Sequence, residues 1–195
     1  MESGLTYTKA DDNGEIDIEA HRQVARGTIR GLFFQHVVSE CEGKNVALPP
    51  KRYVAFRENP MVDFIDLIVD AAPKLYPGRP LRGALRDLGA SVYPMFIETT
   101  LGRVMRAFTG RSYRQVIEAA PRAFAAATSD ATVVVQDLTN TSGVIVARHL
   151  PVFPESYLIG VWEGAMLPCD CAGSVEVALP APNEVHFKIT WRPLG

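Results

Sequence analysis

The sequence predicts an α+β domain in which an N-terminal helical layer packs on a small antiparallel sheet, the sheet being supplied by a C-terminal β-β-α-β-β unit. Three observations predict it. Between Thr28 and Ala127 apolar residues recur mainly at spacings of three and four, which lays one stripe of each helix against a core. At Thr132 the pattern changes to β-branched runs, Thr132-Val133-Val134-Val135 and Val144-Ile145-Val146. It then alternates at Val175, Val177, Leu179 and at Val185, Phe187, Ile189, Trp191, as strands with one buried face require. Between the two strand pairs lies one apolar helical segment, Glu155 to Leu167, able to cover that face. Helices followed by strands place the chain in the α+β class.

In chain order, residues 1–15 are polar and acidic and read as a flexible arm, leaving residues 16–195 as the single domain. Asp11-Asp12-Asn13-Gly14-Glu15 lacks calcium-loop geometry, because its glycine comes three residues after Asp11. Gln23 to Gly27 reads as a short strand feeding an amphipathic helix, Thr28 to Glu42, whose stripe is Ile29, Leu32, Phe33, Val37 and Cys41. Pro49-Pro50 makes a loop, and Tyr53-Val54-Ala55-Phe56 is apolar without a period. Asn59 as N-cap and Pro60 at the first helical position open a helix to Leu75. Leu81, Leu85 and Leu88 mark a short helix. After Gly89 a longer helix is expected from Ser91 through Phe96, Leu101 and Met105 to Phe108. Ser112 with Gln115 forms a capping box for a further helix, which Pro121 is expected to kink or divide. The strand pairs read as hairpins across Asn140-Thr141-Ser142-Gly143 and Pro180-Ala181-Pro182-Asn183.

Composition narrows the function. In 195 residues, 47% are apolar and 22% charged, the profile of an ordinary globular domain, and a net charge of −2 supplies no general attraction for nucleic acid or an anionic membrane. Three cysteines in a chain large enough to fold unaided point to a reducing, cytoplasmic setting rather than a disulfide framework. No apolar run reaches the roughly 18 residues of a membrane-spanning helix. The sequence has no Walker loop, Gly-x-Ser-x-Gly elbow, His-Glu-x-x-His or Cys-x-x-Cys. An enzyme is therefore the weakest of the function classes, and no catalytic residue is assigned.

Tyr93, Phe96, Met105, Phe108 and Trp162 fall where the helices meet the sheet-covering helix. Such stripes mostly fill cores. Interleaved with Gly89, Gly102, Gly160 and Gly164 they can also wall a narrow apolar pocket, since glycine lets backbones approach or leaves space beside them. These five aromatic and methionine residues are the ligand-pocket candidates. Cys169-Asp170-Cys171 offers two soft ligands for zinc if a third approaches in space, and otherwise is a turn with two small buried apolar groups. The four histidines, His21, His36, His149 and His186, are too dispersed to suggest a site. Arg103, Arg106, Arg111 and Arg114 around Gly110 suit an anion or, more commonly, pairing with nearby acids.

Arg26-Gly27-Thr28-Ile29-Arg30-Gly31-Leu32-Phe33-Phe34 and the run from Leu75-Tyr76-Pro77-Gly78 through Leu88-Gly89 to Tyr93-Pro94 and Gly102 resemble a myxobacterial family of undetermined function with many paralogues of about 200 residues. The resemblance covers about residues 22–191. Tyr157-Leu158-Ile159-Gly160-Val161-Trp162-Glu163-Gly164, with the hairpin ending Phe187-Lys188-Ile189-Thr190-Trp191, is similar to four-vinyl-reductase-type domains. Those are grouped with haem nitric-oxide-binding domains and transport-protein-particle subunits. The superfamily implies helices on a small antiparallel sheet, holding small or apolar ligands or binding proteins. Its haem branch uses a helix-borne histidine and a Tyr-x-Ser-x-Arg motif. Here residues 91–124 contain no histidine and the motif is absent, so haem is not expected. Its zinc-binding cysteines lie near the final hairpin, but residues 174–191 contain none, so zinc does not carry over. Acylation of a buried cysteine in the trafficking branch leaves Cys41 as the one position to test.

The expected function is a cytoplasmic, non-catalytic sensor or regulatory domain binding a small apolar or aromatic ligand between helices and sheet. The rival is a protein-interaction module or homodimeric scaffold with a filled core and no small ligand.

Overall fold

The computed structural model describes residues 4–149, 155–181 and 183–195, and the side chains of residues 101, 105, 108 and 109 lie outside that description. The helices are α1 (Ile18–Val24), α2 (Gly31–Gly43), α3 (Met61–Leu75), α4 (Leu81–Ala90), α5 (Val92–Glu98), α6 (Thr100–Thr109), α7 (Tyr113–Ala127) and α8 (Glu155–Gly164). The strands are β1 (Thr8–Lys9), β2 (Thr28–Arg30), β3 (Glu58–Pro60), β4 (Thr132–Gln136), β5 (Ser142–Arg148), β6 (Cys171–Ala181) and β7 (Glu184–Pro193). A β2-β3 ribbon stands apart from a five-stranded sheet of order β1-β6-β7-β5-β4. The helical layer over an antiparallel sheet agrees with the α+β expectation, as do both hairpins and the covering helix. Among the described residues no helix is long and apolar enough to cross a membrane.

Register explains the buried sheet face. Val135 pairs with Ile145, Ile145 with Phe187, and Phe187 with Val177, and the next row joins Val133, Ala147 and Val185. Because side chains alternate along a strand, these rows lie on one face. Phe187, Ile145 and Val185 are fully buried there, beneath α8 and α7. Phe34, Phe64, Ile65, Ile68, Leu85 and Leu88 extend the same core through α2, α3 and α4.

α4 and α8 pack backbone against backbone. A Cβ at Gly89 would collide with the Tyr157 carbonyl, one at Gly160 with Arg86 O, and one at Gly164 with Ala90 O. Glycine here serves approach rather than pocket walls, and the two backbones touch. Arg86 reinforces the contact with a bidentate pair to Glu163, at 2.7 Å from both Nε and Nη2, while its Nη1 donates to Asp12 at 3.0 Å.

Five local expectations need correction. Residues 8–12 are largely exposed but not a free arm: Thr8 and Lys9 pair with Val177 and Glu176, and Asp12 is held by Arg86. The segment before residue 28 is helix α1, begun by Asp17 accepting from Ala20 N at 2.9 Å, with no strand at Gln23 to Gly27. Asn59 does not cap α3. It pairs with Ile29 in the ribbon and donates to Arg57 O, and Pro60 takes the cap position. The long helix over 91–108 is two helices. Thr99 is extended, accepts from Gly102 N at 3.0 Å and donates to Phe96 O at 2.7 Å, so its hydroxyl competes with the helical ladder and starts α6 afresh. Pro121 does not divide α7, which runs unbroken from Tyr113 to Ala127 with Ile117 and Ala120 holding one face in the core.

His36 carries a pH prediction. Its Nε2 lies 2.7 Å from Ser91 Oγ, and that hydroxyl gives its own proton to Leu88 O, so Nε2 is the protonated nitrogen of a neutral ring. Burial holds the pKa below 6.5, with Glu40, 4.0 Å from Nδ1, acting in the opposite direction. A group with a depressed basic pKa binds fewer protons folded than unfolded. Its contribution is therefore intact above pH 6.5 and is lost as pH falls towards the folded value. Urea unfolding between pH 7.5 and 5.5 should show stability falling with acid by up to about 1.4 kcal/mol per pH unit from this group. His36→Gln should flatten that slope.

Candidate functional site

The site forms where α5, α7 and α8 meet the beginning of β6, and it is built from the Cys169-Asp170-Cys171 turn outward. Leu167–Cys169 is a single 3-10 turn with Pro168 early in it, and Asp170 adopts the left-handed conformation (φ 52°, ψ 39°), which aspartate tolerates better than most residues. The turn is anchored by Cys171 N to Met166 O and Leu194 N to Asp170 O, at 3.0 and 2.8 Å, and by an Arg111–Asp170 pair at 3.3 Å. Both thiols are free and buried. Burial pushes the Cys169 pKa up, against the opposing hydrogen bond from Tyr93 and the charge of Arg106. Cys171 is likewise raised by burial and then by Asp170. Tyr93 is pushed well up, first by burial and then by Cys169.

Tyr113 sits behind this pair. It is buried, its Oη donates to Trp162 O at 2.8 Å, and its ring meets Trp191 edge-on at 5.1 Å. Burial raises its pKa strongly, with Cys169, Glu163, Cys171 and Tyr93 adding to the effect. Trp162, 4% exposed, stacks on Phe124 at 5.6 Å and tilts against Phe187 of the sheet at 6.2 Å. Its indole Nε1 is buried and has no hydrogen-bond partner among the described residues. A buried donor without an acceptor is uncommon and destabilising.

The structure thus brings Tyr93, Trp162, Cys169 and Cys171 into one neighbourhood through Tyr113. Phe96 is half-buried on α5, and Met105 and Phe108 lie on α6 with side chains outside the described residues. Cys41 is elsewhere, buried on α2 beside a surface groove of about 380 Å³. A second cavity, of about 390 Å³, lies at the sheet edge by Thr8, Arg82 and Glu155. Neither is lined by a pocket candidate. Among the described residues no three His, Cys, Asp or Glu side chains are placed to hold a metal, so Cys169 and Cys171 have no third ligand there. The basic stretch is largely paired: Arg103 binds Glu98 O, Arg111 binds Asp170 and Arg114 binds Glu118.

The sequence places Tyr113, Val116, Ile117 and, beyond Pro121, Phe124 on the apolar stripe of the helix opened by Ser112, but it does not assign Tyr113 or Phe124 to the site, because their contacts with Trp162 and Trp191 join segments far apart in the chain.

Comparison with known proteins adds the following. A family described as "Protein of unknown function (DUF2378)" matches residues 22–192. No curated protein matches the chain. Among solved structures, the fold is similar to an Fe(II) unliganded H-NOX protein from K. algicida, with 11% identity, TM-score 0.63, and 84% of this chain and 97% of that one covered. It is also similar to an H-NOX protein mutant from S. oneidensis in the Fe(II) ligation state, with 12% identity, TM-score 0.62, and coverage of 84% and 96%. A third similar structure comes from work on haem distortion in the H-NOX family, with 12% identity, TM-score 0.58, and coverage of 85% and 94%.

The described histidines lie on elements apart from the Tyr93, Trp162 and Cys169 cluster. His36 on α2 bonds Ser91 and His186 on β7 bonds Glu184, at 2.7 and 2.6 Å. His21 is on α1 and His149 is exposed after β5, so neither belongs to the Trp162 cluster. The backbone contact between α4 and α8 leaves no slot for a planar macrocycle between them.

Proposed function

The chain belongs to the DUF2378 family, and from that premise we propose a non-catalytic binding domain for a small apolar or aromatic ligand, acting as a sensor or regulatory module. The ligand lies against Trp162, between the helical layer and the sheet, and places a carbonyl or carboxylate oxygen on the indole N–H. Tyr93, Phe96, Met105 and Phe108 are its proposed walls. One observation carries this reading: Trp162 Nε1 is a buried donor with no acceptor among the described residues. An unmet buried hydrogen bond costs roughly 1–3 kcal/mol. A ligand that supplies the acceptor recovers that energy only in its own complex, and such a difference between states is what a sensor requires.

The chemistry of the neighbouring thiols supports binding over catalysis. A nucleophilic cysteine needs a lowered pKa, and burial raises all three here. The free state of those thiols supports a reducing, cytoplasmic setting. No cofactor enters this reading.

A thermal-shift screen of aromatic carboxylates and fatty acids tests it. A true ligand at a hundred times its Kd adds about 2.7 kcal/mol, or about 5–10 °C in Tm for a chain of this size. The shift should persist in Trp191→Phe and shrink by at least a third in Trp162→Phe, which keeps an aromatic ring but removes the N–H. Absence of any shift across the screen, or an equal shift in Trp162→Phe, overturns the proposal.

A further inference from the structure

We infer that the cavity at the edge of the sheet is a binding site for a small zwitterion, an α-amino acid with an apolar side chain. The cavity encloses about 390 Å³ between the N-terminal segment, the beginnings of α4 and α8, and β6. That volume lies at the lower end of the range for small-molecule sites and suits a single amino acid. Its floor is an ion pair taken out of water. Glu155 is buried and pairs with Arg82, whose side chain is 19% exposed. Arg82 Nη1 donates to Glu15 O at 3.3 Å, while Nε is buried and has no partner among the described residues. Buried polar groups normally find partners, so a spare guanidinium donor in a cavity wall is a place for an oxygen acceptor.

The rim adds one charge of each sign. Lys9 and Asp11 are exposed, and neither has an ion-pair partner among the described residues. Their charged neighbours are committed, Asp12 to Arg86 and Arg79, and Arg79 to Asp87. Asp11 and Arg82 face each other across Gly14, where an added Cβ would lie 2.9 Å from Asp11 Oδ2 and 3.2 Å from Arg82 Nη1. The ionisable residues that line the cavity, Lys9, Arg82, Asp11 and Glu155, therefore cancel in net charge yet offer both signs to one small molecule.

That balance selects the ligand. A lone carboxylate is repelled by the two acids and a lone amine by the two bases, whereas a molecule carrying both charges finds a partner for each. Its carboxylate takes Arg82 Nε and Lys9, and its ammonium takes Asp11. The remaining wall supplies the apolar contact: Val177 and Ala178 are buried, and Leu179 is 53% exposed, a large side chain for the ligand's own apolar group to cover. The inference is independent of the ligand proposed at Trp162, which meets a different set of residues.

Isothermal titration calorimetry on the full chain tests it, with L-leucine and its two single-charge analogues, 4-methylpentanoate and isopentylamine. Leucine should bind, and each analogue should bind at least tenfold more weakly. Lys9→Gln and Asp11→Asn should each weaken leucine at least threefold with an unchanged melting temperature, because both side chains are exposed. Trp162→Phe should leave leucine binding as it was. No leucine binding at about 10 mM overturns the inference, as do analogues that bind as tightly as leucine or full affinity in either rim variant. Loss of leucine binding in Trp162→Phe overturns it as well, because the ligand would then sit at the indole.

Discussion

Gly160→Ala is expected to lower the unfolding free energy by about 3 kcal/mol, at the upper end of the usual range for overpacking a core. The new Cβ collides with the carbonyl of Arg86, and the obstacle is a helix backbone that cannot rotate away as a side chain would. Relief requires α4 and α8 to separate, which opens the contact that Gly89 and Gly164 also serve. The core beneath α8 loses packing as the helix lifts, so the effect should exceed that of the methyl group itself. Gly43→Ala is the control. It lies in α2 with nothing within 4 Å of its added Cβ, and alanine there should be neutral or stabilising by up to about 1 kcal/mol. Urea unfolding followed by circular dichroism compares the two. Equal effects would mean that the α4–α8 contact is looser than described.

Arg86→Ala should have the second largest effect, about 2 kcal/mol. Its guanidinium is bonded to Glu163 through two nitrogens and to Asp12 through a third, and the Glu163 hydrogen bonds push its pKa well up. Truncation leaves two carboxylates without their shared cation. Both are about a quarter exposed, so the cost lies between that of a surface pair and the roughly 3–5 kcal/mol of a fully buried one. The variant has a second readout. Asp12 ties the N-terminal segment to α4, so Arg86→Ala should admit trypsin at Lys9 faster than in the unmodified protein, and Asp12→Ala should do the same at a smaller cost in stability. Unchanged cleavage in both would mean that the Thr8–Lys9 pairing with β6 holds the segment alone.

The contrast between these residues shows what was legible in the sequence. The hairpins were readable because alternation is local: Val185, Phe187, Ile189 and Trp191 announce their own face. Gly160 and Gly164 stood out as a spaced pair, but their partners, Arg86 and Ala90, lie on a helix some seventy residues earlier, and no period in either segment joins them. Asn59 illustrates a local rule overridden at distance. It is a good capping residue before a helix, yet pairing with Ile29 draws it into a ribbon. Thr8 and Val177 meet across nearly the whole chain, which made residues 8–12 read as an arm. In the site, Trp162 and Cys169 were found by residue type and spacing. That Tyr93 would lie beside Cys169, that Tyr113 would hold Trp162 O, and that the indole N–H would be left without an acceptor among the described residues are facts of three-dimensional placement.

The central claim is that Trp162 Nε1 awaits an acceptor from a ligand. It is tested most directly by proton–nitrogen NMR of Trp191→Phe, in which Trp162 supplies the one indole signal. The account predicts a free-state signal at the position of an unbonded N–H, moving downfield when a compound that raises Tm is added to saturation. A Trp162 signal that stays in place while such a compound stabilises the protein would contradict it, and would put the ligand elsewhere in the fold.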